Sequence, residues 1–425
     1  MAATLSRTFE SLRVRNYRMF FAGQVVSWTG TWVQWVAQGW LVLRLTQSGL
    51  GLGIVTAIQW LPILLLGAWA GVVADRLDKR RLLIFTNASA ALLSLVLGLL
   101  TVAGVVTLWM VIVDALLLGV VTALDNPARQ TFTMEMVGRE RIANAVSLNT
   151  ATFTTARVVG PAVAGVMIST VGIGVCFLIN AASFVPVTLA LMFMNRSELR
   201  PSEQVERGKG QVREGLRYVR SVPVLKTLLT MMAVIGTLQY NFAVLLPVLA
   251  KETFSGDAGT LGLIGAAVGV GMFAGSIGNA AIGRSDRKVL LGAGFALGAF
   301  TIAAAGAPPL WLAVVLLVPL GAASMAFLAT MNSTLQLTAA DDMRGRVMAI
   351  YFVLFLGSTP IGAPIVGWLS EQFSPRVALA FGGVATILAC VYGLAKLPQL
   401  GGERVKTEDD SELAVAGTST AGGGA

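Results

Sequence analysis

Two ionisable side chains stand inside long apolar runs: Asp114 within "LWMVIVDALLLGVVTAL" and Arg157 within "ARVVGPAVAG". Placed at the centre of a membrane helix, each carries an insertion penalty of about 2.5 to 3.5 kcal/mol, so each needs a reason to be there. Two reasons are open. The pair forms a structural ion pair, or Asp114 takes up and releases a proton while Arg157 tunes it. With no His in the chain, carboxylates are the main candidates for proton chemistry. The same absence removes H-E-x-x-H zinc sites and Ser-His pairs, so no catalytic residues, no metal and no cofactor are expected. Cys176 and Cys390 both fall in apolar runs and read as small buried residues.

A second feature is a dense charge cluster between two apolar runs. The string "AGVVADRLDKRRLL", positions 70–83, packs Asp75, Arg76, Asp78, Lys79, Arg80 and Arg81 together, and "RSDRKVLL" returns from Arg284. A third is a polar stripe: Gln24, Ser27, Thr31, Gln34 and Gln38 follow helical steps of three and four and so share one face. Interhelical hydrogen bonding and the lining of a polar cavity both account for such a stripe.

The elements that must hold these residues follow from composition. The chain has 425 residues, 55% hydrophobic and 12% charged, with a mean hydropathy of +0.75. Soluble domains carry about 25% charged residues, so the chain belongs in a bilayer. Twelve runs of roughly 20 apolar residues, each long enough to cross as a helix, recur from end to end. The fold class is therefore an all-α membrane protein of twelve transmembrane helices.

Of 31 Lys and Arg, all but Arg44, Lys251, Arg376 and the intramembrane Arg157 fall in the termini and the even-numbered loops. The positive-inside rule then places both termini in the cytoplasm. The net charge of +9 is spread over those loops without a soluble domain or a groove, which argues against nucleic-acid binding. The charged strings repeat: the one from Arg76 aligns with the one from Arg284, and Asn126, Gln130 and Glu135 align with Asn332, Gln336 and Asp341 at nearly the same offset. Two independent blocks sharing one offset divide the chain into like halves. The expected units are a six-helix bundle over 1–194, a basic cytoplasmic linker over 195–223, a second six-helix bundle over 224–397 and a disordered cytoplasmic tail over 398–425. Parallel six-helix halves are the architecture of alternating-access transporters, with the substrate site at the midplane between them.

At these residues the chain resembles the major facilitator superfamily. Gly71, Asp75, Arg76, Lys79 and Arg80 match the signature of its loop between spans 2 and 3, with Asp78 replacing the second glycine. The segments "NYRMFFAGQVVSWTGTWVQWVAQGWLVLRLTQS", "ALDNPARQ" and "ARVVGPAVAG" are similar to the bacterial enterobactin-exporter-type branch, a drug and siderophore efflux group. The resemblance implies a cytoplasmic gate in which Asp75 faces span 11 and Arg76 pairs with an acid at the end of span 4, the place of Asp125. It implies that spans 1, 4, 7 and 10 line the cavity, which makes Gln24, Ser27, Thr31, Gln34, Gln38, Gln239 and Asn241 candidate lining residues. Gly160, Pro161 and Gly165 resemble the span-5 antiporter motif, with Ala156 and Ala164 in place of two glycines.

The expected function is export of a small hydrophobic or amphipathic molecule, drug-like or a siderophore, by alternating access with proton antiport. A proton-coupled importer of a small metabolite is the alternative, and a non-transporting receptor or scaffold a lesser one. The resemblance implies a monomer in the bacterial inner (cytoplasmic) membrane, with the lipid bilayer, protons and substrate as its partners.

Overall fold

The computed structural model describes residues 9–200, 211–282 and 286–397. Twelve helical segments run up and down in two six-helix bundles. They are α1 Arg15–Thr46, α2 Gly49–Arg76, α3 Lys79–Val102, α4 Leu108–Val137, α5 Ile142–Thr170, α6 Ile173–Met192, α7 Pro223–Thr253, α8 Ala258–Ile282, α9 Arg287–Gly306, α10 Leu310–Thr338, α11 Arg344–Gln372 and α12 Pro375–Lys396. Eleven are long and apolar enough to cross a membrane; α1 falls short because its glutamines, serine and threonines dilute it. In hydrocarbon every backbone group must be satisfied within the segment, which is why unbroken apolar runs become helices. Several helices outrun the apolar stretch: α4 and α10 continue to Val137 and Thr338, carrying charged or polar turns beyond it.

The alternation of direction gathers the start of α1 and the ends of α2, α4, α6, α8 and α10 at one side, here called the basic face. Contacts across that face fix the first half. Arg141 approaches Glu10 at 3.5 Å, the Ser11 hydroxyl donates to Asn144 at 2.7 Å, and the Asn16 amide donates to the Asn195 carbonyl at 2.8 Å. A linker helix, Gln211–Ser221, docks on the second half through Glu214 and Arg346 at 2.9 Å, while Tyr218 accepts from the Ala340 N–H. The rest of the linker, residues 201–210, and the tail lie outside the described residues.

The repeated charged strings have a local task that the sequence already contained. Asp78 is the N-cap of α3 and accepts from the Arg81 N–H at 3.0 Å; its counterpart Asp286 caps α9, accepting from the Val289 N–H at 2.9 Å. A carboxylate there satisfies orphan donors and meets the positive end of the helix dipole. The aspartate at the second glycine position of the signature therefore starts a helix.

The two bundles meet along two seams, α2 against α11 and α5 against α8, with α1 touching α7. Both seams rely on missing side chains. A Cβ on Gly53 would lie 2.4 Å from the Ala363 carbonyl oxygen, and one on Gly165 would lie 2.5 Å from the Gly262 Cα. Small residues of this kind allow backbones to approach in membranes, where packing and not hydrophobicity drives association.

Candidate functional site

At the basic face the signature residues split into several tasks. Arg80 is 7% exposed and reaches the C-terminal end of α6, donating to the carbonyls of Leu191 at 2.5 Å and Met192 at 2.7 Å. In the second half Arg287 likewise donates to the Leu394 carbonyl near the end of α12. A cation there satisfies carbonyls that the helix leaves unpaired. In both halves the start of the third helix is thus pinned to the end of the sixth. Lys79 pairs with Glu135 of α4 at 2.8 Å, both side chains 11% exposed. Gly71 is buried in the last turns of α2.

The expected gate is drawn differently. Asp125 pairs with Arg129, one turn along α4, at 2.6 Å, and accepts from the Thr86 hydroxyl of α3 at 2.7 Å. Arg129 also donates to the Gln24 side-chain oxygen and lies over the Phe20 ring at 5.8 Å. Arg76 is exposed, so the Arg76–Asp125 pair is not formed in this conformation; the side chain of Asp75 lies outside the described residues. The reason is geometric: an i, i+4 partner on the same helix competes directly for the carboxylate. Neither Arg129 nor Thr86 belongs to the loop signature; the i, i+4 spacing of Asp125 and Arg129 is the signal the sequence holds.

The α1 stripe is turned into the first half, away from the second. Gln34 accepts from Ser94 of α3 and from Asn180 of α6, each at 2.6 Å, and Gln38 meets Gln59 of α2 at 3.5 Å. Gln24, Ser27, Gln34 and Gln38 are all buried; Thr31 is half-buried and bonds back to the Ser27 carbonyl at 2.9 Å. Gln239 and Asn241 behave alike in the second half, donating to Thr301 at 2.8 Å and to the Thr237 carbonyl at 2.6 Å. In this conformation Gln24, Gln34, Gln38 and Gln239 tie helices together within each half, while Thr31 and Asn241 bond back to carbonyls of their own helices. A polar face in a membrane helix seeks any partner, and neighbouring helices supply it as well as a cavity does.

Aromatic rings cluster where α1 meets α5 and α2. Trp28 and Trp32 pack edge-on to Phe153 of α5 at 5.5 and 5.7 Å, and Trp35 meets Trp60 of α2 at 5.8 Å. From the second half, α7 breaks between Leu238 and Phe242, and α11 breaks between Phe355 and Thr359. At the breaks Tyr240 and Phe355 meet edge-to-face at 5.4 Å, and Phe355 stacks on Tyr351 at 6.1 Å. Interrupted helices at the midplane are where transporters place their sites.

Asp114 and Arg157 do not meet. Asp114 begins about 9 Å and Arg157 ends about 20 Å from the helix ends at the face opposite the basic one, counted along α4 and α5 at 1.5 Å per residue. Asp114 is 6% exposed, and one carboxylate oxygen is buried without a hydrogen-bond partner. Arg157 is half-buried and lies over the Trp32 ring at 5.8 Å. Of the span-5 motif, Gly160 backs directly onto Trp32, and Pro161 and Gly165 pack on α8 of the other half.

The hydrogen bonds described between the halves all lie at the opposite face. Glu371 at the end of α11 accepts from the Ser48 hydroxyl and, at 3.1 Å, from the Leu50 N–H, so it caps the first turn of α2 from the other half. Lys251 of α7 donates to the Leu43 carbonyl at 2.9 Å and to Gln47 at 2.6 Å. The seam is closed at this face.

Comparison with known proteins accords with this geometry. The profile of a family described as transmembrane secretion effector matches residues 6–415. The multidrug efflux pump Tap of Mycolicibacterium fortuitum is 30% identical over 358 residues, 80% of this chain and 86% of that one. The enterobactin exporter EntS of Shigella flexneri is 26% identical, over 78% and 79% of the two chains. The staphyloferrin A transporter of Staphylococcus aureus is 27% identical over 58% of this chain, and the match spans 62% of that protein's length. A bacterial homologue of the human lysosomal transporter Spinster, solved facing inward and unoccupied, superimposes over 90% of this chain and 95% of its own at a TM-score of 0.70 and 15% identity.

Proposed function

The chain belongs to the transmembrane secretion effector family of the major facilitator superfamily, a transporter and not an enzyme, and from that premise we propose that it exports a small hydrophobic or amphipathic molecule by proton antiport. The observation that carries the proposal is the one-sided closure: the halves are hydrogen-bonded at Ser48, Leu50 and Glu371 and at Leu43, Gln47 and Lys251, all at the face opposite the basic loops. With the basic face in the cytoplasm, this is the state in which an exporter loads. The aromatic cluster suits a drug-like or siderophore cargo. Asp114, buried with a free carboxylate oxygen, is the group to carry the proton. Arg76 exchanging with Arg129 for Asp125, together with Asp75, closes the cytoplasmic side in the opposite state. The protein works as a monomer in the bacterial cytoplasmic membrane with both termini inside.

Proteoliposomes with an imposed pH gradient test this. A compound panel should show accumulation driven by an outward-to-inward proton flow and directed against it. Asp114→Asn should bind cargo yet lose pH-driven flux. Cargo moving with the protons would make the protein an importer, and full pH-driven flux in Asp114→Asn would remove Asp114 from the proton path.

A further inference from the structure

We infer that Arg157, with Trp32 beneath it and Tyr240 across the seam, is a binding site for the anionic group of an amphipathic aromatic cargo, a carboxylate or its equivalent. The inference rests on the transporter reading only for where cargo sits. Arg157 lies between inter-half contacts, since the next residue, Val158, abuts Gly269 of α8, and Pro161 abuts Gly265. Its guanidinium therefore points into the space between the bundles and not at lipid. It lies over Trp32 at 5.8 Å, and Tyr240 stands in the break of α7 in the other half.

No carboxylate among the described residues is within ion-pair distance of Arg157. The other mid-span charge, Asp114, stands about 10 Å nearer the closed face by helix rise. Tyr240 provides no counter-charge, because its hydroxyl is spent on the Ser324 carbonyl at 3.0 Å. A guanidinium in low dielectric without a paired anion is a poor resting arrangement, and cation–π contact with one indole offsets it only in part. What completes it is a ligand anion accepting its N–H donors in the fork geometry that favours carboxylates. Trp35 at 4.8 Å and Phe153 at 5.7 Å flank the Trp32 ring and supply flat apolar surface, so the remainder of the ligand is aromatic or planar. Cargo of this class brings the missing charge with it, and the site is neutral only when loaded.

Equilibrium dialysis of the purified full chain in neutral detergent, corrected for empty micelles, tests this with three matched probes: 2-naphthoate, 2-naphthalenemethanol and 2-naphthylmethylammonium. At neutral pH naphthoate should bind about tenfold or more tighter than the alcohol, as expected of a hydrogen bond to a charged group, with the ammonium weakest. Arg157→Gln should bring naphthoate to the level of the alcohol while the alcohol is unchanged, and Arg157→Lys should keep the order with a smaller contrast. Equal binding of acid and alcohol by the native chain overturns the assignment, and that comparison needs no variant to fold. Survival of the preference in Arg157→Gln overturns it as well. The measurement uses no gradient, so a wrong transport direction would appear in the flux assay and leave this result untouched.

Discussion

Alanine at Gly53 should open the closed seam selectively. The added Cβ would stand 2.4 Å from the Ala363 carbonyl oxygen, 2.9 Å from its carbon and 3.0 Å from the Pro364 Cα. All three are backbone atoms, which no rotamer change can withdraw. Carbon contacts are comfortable at about 3.5 to 4.0 Å, so α2 and α11 must part by about 1 Å locally. Overpacking of this kind destabilises by about 1 to 3 kcal/mol. The clash exists only while the seam is shut, so the population of the shut form should fall by about 5- to 150-fold relative to the open one.

Gly165→Ala adds a like clash at the second seam, with the Cβ 2.5 Å from the Gly262 Cα. If the two sites add, the pair approaches the roughly 5.5 kcal/mol that inverts a 99:1 equilibrium. The assay is maleimide labelling of a single reporter, Val248→Cys, whose native side chain is fully buried beside Gly49. The native Cys176 and Cys390 are buried, so background should be low. Labelling should accelerate in Gly53→Ala and further in the double variant. Gly67→Ala on the same helix, where a Cβ meets nothing within 4 Å, is the control. A folded Gly53→Ala protein labelling no faster than that control would refute the reasoning.

Further outcomes follow from single contacts. Glu371→Gln should weaken the cap on Ser48 and Leu50 and speed the same reporter by about two- to fivefold, a typical cap effect. Arg80→Leu should lower stability by about 2 to 4 kcal/mol, because two α6 carbonyls lose a charged donor. Arg80→Lys should recover part of the loss in a thermal unfolding assay; full recovery would mean that only the charge matters. Asp125→Asn should destabilise by about 2 to 4 kcal/mol, somewhat less than a fully buried pair, by leaving Arg129 on Gln24 alone. Arg129→Gln added to it should restore some stability, and an additive loss would show that the two side chains are not coupled.

The amino-acid sequence by itself determined the properties that are local or additive along the chain. Hydropathy summed over about 20 residues gives the spans, the placement of Lys and Arg gives the basic face, and repeated strings give the two halves. The caps at Asp78 and Asp286 belong with these, since a cap and the donor it satisfies are three residues apart. Tertiary structure decided the rest, because it turns on partners distant in sequence. Arg80 stands in the sequence as part of the loop signature linked to the gate, yet it closes the end of a helix 111 residues away. The period of α1 identifies Gln24, Gln34 and Gln38 as one face but not what that face meets. In a bilayer the polar interior of a bundle and a polar cavity satisfy the same donors and acceptors, so polarity alone does not choose between them. Asp114 and Arg157 show the same limit: opposite charges suggest a pair, and only the depths of two helices, fixed by packing, keep them apart.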